Sequence, residues 1–565
     1  MSQVPHGHVF DLLVFGSGAG GLMAALVGAE NGLKVCVCER TDQLGGTTAT
    51  SGGTIWVPGI NARDDGDKRD DLDRVRSYLR NEIGDCDADL REAFLESAPE
   101  TLRFLKDRTR LRFFANDPYP DYHTETPGAA KAGRALTPKP FDGRSLGTFF
   151  SRIRPPIREY MVLGGMMVGR NEIPALVRPW RSLASMWTTA RLVFRYILDR
   201  LRGLRGTRLY LGNALVAGLA EALRKRDCTF LFETSLDSLL TNDGKVVGAR
   251  VRSGESILSI SARKGVVVAT GGFSANIPMM KVLAGFNVSY SASFAMNVGD
   301  GIRAARDIGA AVSDDHRSGA FWMPVSVLRR SKADRTIYPH IRDRAKPGMI
   351  CVTDEGLRFV NESASYHDVS GAMRDVLERR PDARFYLICD RTFVWTYGVG
   401  MINPVWQRLN YYINREYLIA ADRIESLASK LDMSAAALSF TIDRHNEFAA
   451  TGIDLDFGKG STFYNRFNGD QSHRPNPCLA NIQTPPFFAI QVYPAPIGTS
   501  VGLTTDINAR VLRPNGEVID GLYAAGNDMS SIMRGTYPGP GITLGPHLVF
   551  AYRAAQDACR GQRLF

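Results

Sequence analysis

The amino-acid sequence predicts an α/β fold that begins with a βαβ unit. An apolar strand over residues 10–15 leads into a glycine-rich turn, Gly-x-Gly-x-x-Gly, over residues 16–21. A helical stretch over residues 22–30 and a second apolar strand over residues 34–38 follow, and Glu39 ends that strand. Glycines in such a turn let the backbone approach a pyrophosphate at the helix N-terminus, and the acid can accept a ribose hydroxyl. The order of these parts predicts a Rossmann-like dinucleotide site.

Three further glycine-rich segments narrow the choice of nucleotide. Residues 44–54 are rich in glycine and hydroxyl side chains, which suits close wrapping of a cofactor and its phosphates. Residues 265–272 read as a buried strand that breaks into glycines, as expected where a second strand end approaches the cofactor. Residues 521–527 close the sheet near the far end of the chain. Turn formation alone explains any one of these segments but explains all of them in this order poorly, and the combination favours FAD over NAD.

Composition indicates a soluble globular protein of two or three domains. The chain has 565 residues, of which 44% are hydrophobic and 23% are charged. It contains no apolar run of about 18 residues that could span a membrane, and its N-terminus lacks the pattern of a secretory signal. The eight cysteines are scattered without a CxxC or Cys/His cluster. This distribution predicts reduced thiols, no metal site and a cytoplasmic protein.

The net charge of +10 comes almost entirely from one segment. Twelve arginines lie within residues 152–208, against three acidic residues, and this local excess argues against nucleic acid as a partner. Residues 174–205 read as largely helical and interleave arginines with Trp180, Trp187 and Phe194. Such a helix is typical of contact with an anionic membrane surface. Packing on its own protein and contact between subunits are the alternatives.

Three motifs later in the chain are more specific than the glycine-rich segments. They are Tyr-Pro-Asp-Tyr-His-Thr-Glu over residues 119–125, Arg-Phe-Val-Asn-Glu-Ser-Ala-Ser-Tyr over residues 358–366, and Thr-Tyr-Pro-Gly-Pro-Gly-Ile-Thr-Leu-Gly over residues 536–545. Together with the glycine-rich segments, they resemble the FAD enzymes of the fumarate reductase and 3-ketosteroid dehydrogenase superfamily. The motifs resemble 3-ketosteroid Δ1-dehydrogenase in particular. The resemblance covers most of the chain outside residues 151–206.

The resemblance implies a discontinuous Rossmann-like FAD-binding domain, an inserted α+β catalytic domain and a basic helical insertion. The FAD-binding domain would comprise residues 1–150, 207–290 and 486–565. The catalytic domain, which caps the substrate, would comprise residues 291–485, and the basic insertion would comprise residues 151–206. The active site is then expected at the interface of the FAD-binding and catalytic domains.

The resemblance also implies a reaction and the residues that carry it. Desaturation beside a ketone removes a proton from the α carbon and a hydride from the next carbon, and nitrogen 5 of the flavin accepts the hydride. Tyr366 would be the base, and Tyr122 would assist it by hydrogen bonding. The Tyr537 hydroxyl and the Gly541 N–H would hold the keto oxygen. A phenol has an ordinary pKa of about 10, so the Tyr366 anion should need stabilisation. Tyr119 is the competing assignment for the assisting residue.

The motifs and the resemblance together predict the residues that bind FAD. They are Gly16, Gly18, Ala19, Gly20, Gly21, Glu39, Arg40, Gly45, Gly46, Thr47, Thr48, Ser51, Gly52, Gly53, Ala269, Thr270, Gly271, Gly272, Asp300, Gly526, Asn527, Gly541, Thr543 and Leu544. His123 and His367 adjoin two of the tyrosines, but a histidine beside an active site is more often structural, and neither is assigned a role.

Several functions are compatible with the sequence. The leading hypothesis is an FAD-dependent 3-ketosteroid Δ1-dehydrogenase, an oxidoreductase that acts on a CH–CH bond. A 3-ketosteroid Δ4-(5α)-dehydrogenase or another desaturase of cyclic ketones would use the same frame. A fumarate-reductase-like enzyme would need clustered arginines for its dicarboxylate, whereas Arg534 is the only arginine close to the last motif.

The non-enzymatic alternative is a flavin-containing, membrane-attached electron-transfer or binding subunit. The electron acceptor is not identified, since no nicotinamide site is evident in the sequence. A quinone would suit a peripheral location on the inner face of the cytoplasmic membrane. The expected substrate partner is a 3-ketosteroid.

Overall fold

The computed structural model describes residues 9–60, 71–115, 119–169, 172–201, 203, 205–314, 316–331, 334–404, 407–561 and 564. Arg170 and Arg202, two of the arginines counted in the basic insertion, lie outside the described residues.

Strands and helices are interspersed along the described part of the chain. The strands are β1 (Val9–Phe15), β2 (Val35–Cys38), β3 (Ile55–Trp56), β4 (Phe113–Ala115), β5 (Ala135–Pro138), β6 (Phe141–Asp142), β7 (Arg208–Leu209), β8 (Thr229–Leu231), β9 (Thr234–Asn242), β10 (Lys245–Ser253), β11 (Ser256–Val268), β12 (Ala320–Arg329), β13 (Arg335–Pro339), β14 (Met349–Thr353), β15 (Phe385–Asp390), β16 (Ile419–Ala421), β17 (Phe487–Thr499), β18 (Arg510–Leu512) and β19 (Val518–Ala524). The helices are α1 (Ala19–Glu30), α2 (Gly46–Thr50), α3 (Leu72–Ile83), α4 (Ala88–Arg108), α5 (Ile173–Val177), α6 (Leu183–Arg200), α7 (Leu211–Arg224), α8 (Ile277–Leu283), α9 (Asp300–Arg306), α10 (Tyr366–Arg379), α11 (Arg391–Tyr397), α12 (Leu409–Ile413), α13 (Ile424–Leu431), α14 (Ala435–Thr451), α15 (Phe463–Asn468) and α16 (Leu544–Arg560).

The first sheet has a parallel centre. In the described part of the chain its strand order is β18–β19–β11–β1–β2–β8, and β9 and β10 extend β11 as an antiparallel meander. Strand β1 pairs in parallel with both β2 and β11. Helix α1 is buried on almost every side and contacts α7 and α16, which agrees with its uniformly apolar sequence. The carboxyl ends of the parallel strands therefore meet beside the N-terminus of α1.

The second sheet is antiparallel throughout its described strands. Its order is β13–β12–β17–β15–β14, and β16 pairs with β17. Helix α10 contacts β12 and β17 and begins at Tyr366. Strand β17 belongs to this sheet although it lies in the segment 486–565 that the resemblance implies for the FAD-binding domain. The domain limits stay predictions. The predicted α/β class with a second, inserted sheet is confirmed.

The basic insertion forms a small helical unit with its own core. Met166, Leu192 and Tyr196 are buried together, and the Tyr196 hydroxyl donates to the Leu163 carbonyl at 3.0 Å. The outer surface of this unit carries large apolar side chains that are exposed: Trp180, Leu183, Met186, Trp187, Phe194, Ile197, Leu198 and Leu201. Within the described residues, no helix is long and apolar enough to cross a bilayer.

Candidate active site

One large cavity in the described part of the chain contains nearly all of the predicted site residues. Its volume is about 1390 Å³, which exceeds the roughly 300–1,000 Å³ of a typical small-molecule pocket. The glycine-rich segments line one part of it, and the predicted catalytic tyrosines line another. A cavity of this size can hold a dinucleotide and a second molecule together.

Most of the predicted cofactor-binding residues line the first part of this cavity. They are Gly16, Gly18, Ala19, Gly20, Glu39, Arg40, Gly46, Thr47, Thr48, Ser51, Gly52, Gly53, Ala269, Thr270, Gly271, Asp300, Gly526, Asn527, Gly541, Thr543 and Leu544. Gly21, Gly45 and Gly272 are not among the lining residues. A Cβ on Gly21 would lie 1.9 Å from the Gly16 carbonyl oxygen, so this glycine lets α1 pack tightly against the turn.

Glu39 is buried at the end of β2 and lines the cavity. Its carboxylate accepts the Ser17 hydroxyl, and it accepts the N–H and the hydroxyl of Thr41, each at 2.9 Å. A carboxylate has about four acceptor sites, so Glu39 can hold the turn and still accept a ribose hydroxyl. Arg40 pairs with Asp300 at 2.5 Å and so links the βαβ unit to α9.

Two buried polar groups follow Gly526, and one of them, on Asn527, lines the cavity. Burial raises the pKa of Asp528 to about 6, although its carboxylate accepts the N–H of Thr270 and, at 2.9 Å, the N–H of Gly272. The Asn527 Oδ1 atom is buried and has no hydrogen-bond partner among the described residues, and Asn527 lines the cavity. A buried acceptor without a partner costs about 1–3 kcal/mol. A donor on a bound molecule would remove that cost.

Four tyrosines meet in the second part of the cavity. Tyr122, Tyr366 and Tyr537 line it, and Tyr464 packs against Tyr122 with ring centroids 4.8 Å apart. The Tyr122 ring stacks on the Tyr537 ring at 5.6 Å and meets the Tyr366 ring edge to face at 5.5 Å. The rings of Tyr366 and Tyr537 are 5.2 Å apart. These residues are distant in the chain, so the tertiary fold assembles them.

Burial keeps these phenols protonated at neutral pH. Burial raises the pKa of Tyr366 well above its ordinary value, whereas hydrogen bonding from Tyr122 lowers it. Burial also raises the pKa of Tyr537 to about 12, against opposing hydrogen bonds from Tyr366 and Thr543. The Tyr537 hydroxyl is therefore a neutral donor, while Tyr366 must lose its proton before it can act as a base.

The loop that carries Tyr537 also contains Gly541, which lines the cavity. Gly541 has a φ of +89°, and a Cβ there would lie 2.5 Å from the Thr54 carbonyl oxygen. Its carbonyl accepts the Trp56 N–H at 3.0 Å, whereas its own N–H donates to no acceptor among the described residues. Two neutral donors, an O–H and an N–H, thus lie four positions apart in one loop. Such a pair suits a keto oxygen that gains negative charge.

Buried hydrogen bonds join the Tyr122 loop to the Tyr537 loop. The Tyr122 N–H donates to the Pro538 carbonyl at 2.8 Å, and the Tyr78 hydroxyl donates to the same carbonyl at 2.6 Å. Asp121, one residue before Tyr122, is buried and pairs with Arg134 at 2.7 Å. These contacts explain the aspartate of the motif over residues 119–125 as a support for Tyr122.

A buried ion network supports the motif that ends in Tyr366. Arg358 pairs with Glu362 at 2.8 Å and with Asp454 at 2.8 Å, and Lys459 lies 3.6 Å from Glu362. Burial by itself would raise the pKa of Glu362, but Arg358 and Lys459 lower it to about 2. None of these four charged residues lines the cavity. They anchor the chain just before α10 and act on Tyr366 only through its position.

His367 is a neutral support for Tyr537. Burial lowers the pKa of His367 to about 4, and its Nδ1 atom accepts the Trp322 N–H at 3.2 Å. Its ring lies 5.7 Å from the Tyr537 ring. His123 differs, because it lies outside the cavity between two carboxylates, at 2.5 Å from Glu82 and 3.0 Å from Asp368.

Further residues lie at the tyrosine end, and apart from Tyr119 they belong to no motif that would reveal them in the sequence. Tyr119, the competing assignment, lines the cavity together with Phe467, and their rings are 5.5 Å apart. Arg342 also lines the cavity, with its guanidinium 5.3 Å from the Tyr119 ring centroid. Tyr464 and Arg342 are single residues between unremarkable neighbours, so only tertiary structure brings them to the site.

The basic insertion lines the far end of the cavity. The lining residues from this segment are Tyr160, Met161, Val162, Val168, Gly169, Glu172 and Ile173. Tyr338, Pro339, Ile341 and Asn403 line the cavity as well, and the rings of Tyr160 and Tyr338 are 6.1 Å apart. Val162 and Ile173 are also partly open to solvent. The insertion therefore forms part of the mouth of the cavity and is more than a surface helix.

Comparisons with known proteins agree with this geometry. The FAD-binding domain family matches residues 11–544. The chain is 34% identical over 564 residues to a 3-oxosteroid 1-dehydrogenase of Mycolicibacterium smegmatis, which covers 98% of this chain and 97% of the relative. It is 34% identical over 555 residues to a 4-oxocyclohex-2-ene-1-carboxylate 5-dehydrogenase of Sinomonas cyclohexanicum, which covers 97% and 94% of the two chains.

A solved structure agrees as well. The crystal structure of 3-ketosteroid Δ1-dehydrogenase from Sterolibacterium denitrificans, in complex with 1,4-androstadiene-3,17-dione, matches with a TM-score of 0.89 at 34% identity and covers 98% of this chain and 99% of that one. The glycine turn, Glu39 and the unpartnered Asn527 oxygen all fit FAD, and the protein is an FAD-dependent oxidoreductase. The chain belongs to the FAD-binding family that includes the 3-oxosteroid 1-dehydrogenases.

Proposed function

We propose that the protein is a 3-ketosteroid Δ1-dehydrogenase, which forms a double bond between carbons 1 and 2 of the steroid. The observation that carries the proposal is the meeting of Tyr122, Tyr366 and Tyr537 at one end of the cavity, which Gly541 of the Tyr537 loop also lines. These groups are neutral, which suits a ketone better than a dicarboxylate.

Each residue has a defined role in the proposed reaction. Tyr366 takes the proton from carbon 2, and Tyr122 donates a hydrogen bond that stabilises the Tyr366 anion. The Tyr537 hydroxyl and the Gly541 N–H donate to the oxygen on carbon 3 as it gains negative charge. Bound FAD supplies the acceptor for the hydride that leaves carbon 1. The two bonding electrons of the carbon 2–hydrogen bond become the new double bond.

Anaerobic titration tests this function. Addition of a 4-ene-3-ketosteroid to the FAD-loaded protein should bleach the flavin absorbance, and mass spectrometry should show a product two hydrogens lighter. A 5α-reduced 3-ketosteroid and fumarate, the latter with an artificial electron donor, test the rival reactions. If none of the ketones in this panel bleaches the flavin, the proposal is refuted. That outcome would favour an electron-transfer or binding subunit.

A carboxylated cyclic ketone is the second candidate substrate. The support is Arg342, which lines the cavity and has no carboxylate partner among the described residues. Burial by itself would lower the pKa of Arg342, but the charge and hydrogen bonding of Tyr119 raise it, so the guanidinium is a cation available to an anion. An Arg342→Gln variant should raise the KM for 4-oxocyclohexanecarboxylate at least about tenfold, the loss of one charged contact. An equal rise for a neutral steroid would argue against carboxylate recognition.

We further propose that the exposed face of α6 rests on an anionic membrane surface. Leu183 is 84% exposed and Trp187 is 72% exposed, and the exposed Arg181 and Arg191 belong to the same unit. Apolar side chains with cations around them suit the boundary of an anionic bilayer. Ile173 of the same insertion lines the cavity mouth. An apolar steroid could then pass from the bilayer into the cavity.

Vesicle flotation tests the membrane contact. The protein should float with vesicles that contain anionic lipid at low salt, less with zwitterionic vesicles, and less at high salt because screening weakens charge attraction. Absence of flotation in every case would refute the contact.

A membrane quinone is the electron acceptor that this placement favours. Reoxidation of the reduced flavin by a short-chain quinone should then be faster than by dioxygen.

A further inference from the structure

His123 bridges the two halves of the active site without touching the cavity. Its Nδ1 atom lies 2.5 Å from Glu82 Oε2 on α3, and its Nε2 atom lies 3.0 Å from Asp368 Oδ2 in the first turn of α10. Glu82 belongs to the first part of the chain, whereas Asp368 belongs to the helix that begins at Tyr366. One imidazole ring therefore connects two elements that are distant in sequence.

The bridge is charged and fully hydrogen-bonded at neutral pH. Burial by itself would lower the pKa of His123, but hydrogen bonds and charges from Asp368 and Glu82 raise it to about 10. As an imidazolium, the ring donates from both nitrogens. The Thr126 hydroxyl donates to Glu82 at 2.7 Å, and the Ser365 hydroxyl donates to Asp368 at 2.7 Å. Both carboxylates thus have a second donor that holds their orientation.

The bridge joins the same two elements that carry the two tyrosines, the Tyr122 loop and α10. Tyr122 directly precedes His123, and Tyr366 lies two residues before Asp368. The rings of the two tyrosines meet edge to face at 5.5 Å. A shift of α10 relative to the Tyr122 loop would change this separation, and His123 opposes such a shift from the outside.

We propose that His123 is a positioning residue for the reaction, a cationic bridge that keeps Tyr122 and Tyr366 in register for proton removal. This inference rests on the proposed function. His123 does not line the cavity, so it acts on the reaction only through the two tyrosines. A misplacement of about 1 Å at a catalytic group can cost roughly 10²-fold in rate. A contact that positions these two tyrosines therefore affects the rate of proton removal more than the affinity for substrate.

Stopped-flow reduction of the FAD-loaded enzyme by saturating 4-ene-3-ketosteroid tests the bridge. His123→Gln should lower the rate constant of flavin reduction by about tenfold or more. Its apparent steroid dissociation constant, its flavin content and its rate of flavin reoxidation should stay within about threefold of the parent, a spread of about 0.7 kcal/mol. Asp368→Asn weakens one arm of the same bridge and should give the same pattern more mildly. His473→Gln, a histidine outside the site that contacts the Leu479 carbonyl, is the matched control.

A double mutant separates positioning from plain structural support. In a Tyr122→Phe background, His123→Gln should slow reduction by less than about twofold, since residues that act through one another are not additive. Full additivity, an unchanged reduction rate, or equal losses of reduction, reoxidation and flavin content would each overturn the inference. If the parent enzyme is reduced by no ketone, the proposed function fails instead, and the two failures are thereby distinguished.

Discussion

The tyrosine end of the cavity, called the inner end below, and the mouth of the cavity are built in different ways. At the inner end, Tyr122, Tyr366, Tyr464 and Tyr537 come from four distant parts of the chain and are each at most 6% exposed. At the mouth, much of the lining comes from one segment of the chain, through residues 160–162, 168–169 and 172–173, and part of it is open to solvent. The inner end is thus constrained by many elements at once, whereas the mouth depends chiefly on one.

This difference separates the chemical step from substrate capture. Substitutions at the inner end should change the rate of flavin reduction and leave access unaltered. Substitutions on the insertion should change how a poorly soluble substrate reaches the cavity and leave the chemical step unaltered. The insertion has its own small core of Met166, Leu192 and Tyr196, so its surface can vary without disturbing the tyrosines.

The largest expected effect is at the inner end. Tyr366→Phe should lower the rate of flavin reduction by about 10² to 10⁴, the usual contribution of a general base. Tyr537→Phe removes one donor to the keto oxygen and should cost about 10² to 10³. Both variants should keep the bound flavin spectrum, measured by absorbance.

The control for these variants is Tyr397→Phe, because Tyr397 donates to Asp470 at 2.6 Å and does not line the cavity. It should reduce its flavin at nearly the parent rate. Near-normal turnover by Tyr366→Phe would show that Tyr366 is not the base. It would also contradict the proposed separation of the chemical step at the inner end from substrate capture at the mouth.

The pH profile should show the next largest effect. The pKa of Tyr366 is raised by burial, so its phenolate, the proposed base, is scarce at neutral pH. Below that pKa, the phenolate population increases about tenfold for each unit by which the pH rises. The rate of flavin reduction at saturating steroid should therefore rise between pH 6 and about 9. Circular dichroism over the same range checks that the fold persists. A rate that is independent of pH would show that Tyr366 does not need to ionise before proton removal.

The smallest effect on chemistry is expected at the mouth. Trp187→Ala should weaken binding to anionic vesicles about tenfold, because burial of one large apolar side chain contributes at least about 1.5 kcal/mol. Its kcat with detergent-dispersed steroid should stay within about twofold of the parent, or about 0.4 kcal/mol. A large loss of kcat would show that α6 supports the inner end, and the contrast between the ends would then be wrong.

Local patterns in the sequence predicted the parts of the molecule that depend on local chemistry. The turn over residues 16–21 is recognisable because close backbone contact requires glycine at fixed spacing, and β1, α1 and β2 lie close to the positions expected. The catalytic tyrosines were predicted from motifs through the resemblance, and the structure brings Tyr122, Tyr366 and Tyr537 together. Their roles remain predictions.

Other parts of the site depend on distant contacts that leave no local signal. Tyr464 and Arg342 reach the site through the packing of α15 and of the segment after β13. The lining role of Tyr160 depends on its approach to Tyr338, more than 160 positions later. Hydrophobic and charge patterns describe which face of an element is apolar, but they do not say which distant element covers it.

The backbone at Gly541 has a consequence for protein engineering. With its positive φ and the Thr54 carbonyl 2.5 Å from any Cβ, this position accepts no other amino acid without a shift of the loop. Side-chain mutagenesis therefore cannot delete its amide hydrogen selectively. Replacement of that amide by an ester through semisynthesis would delete one donor and preserve the shape of the loop. Among chains with this fold, a bulkier residue at this position would require a different path of the loop and therefore a different position for this N–H.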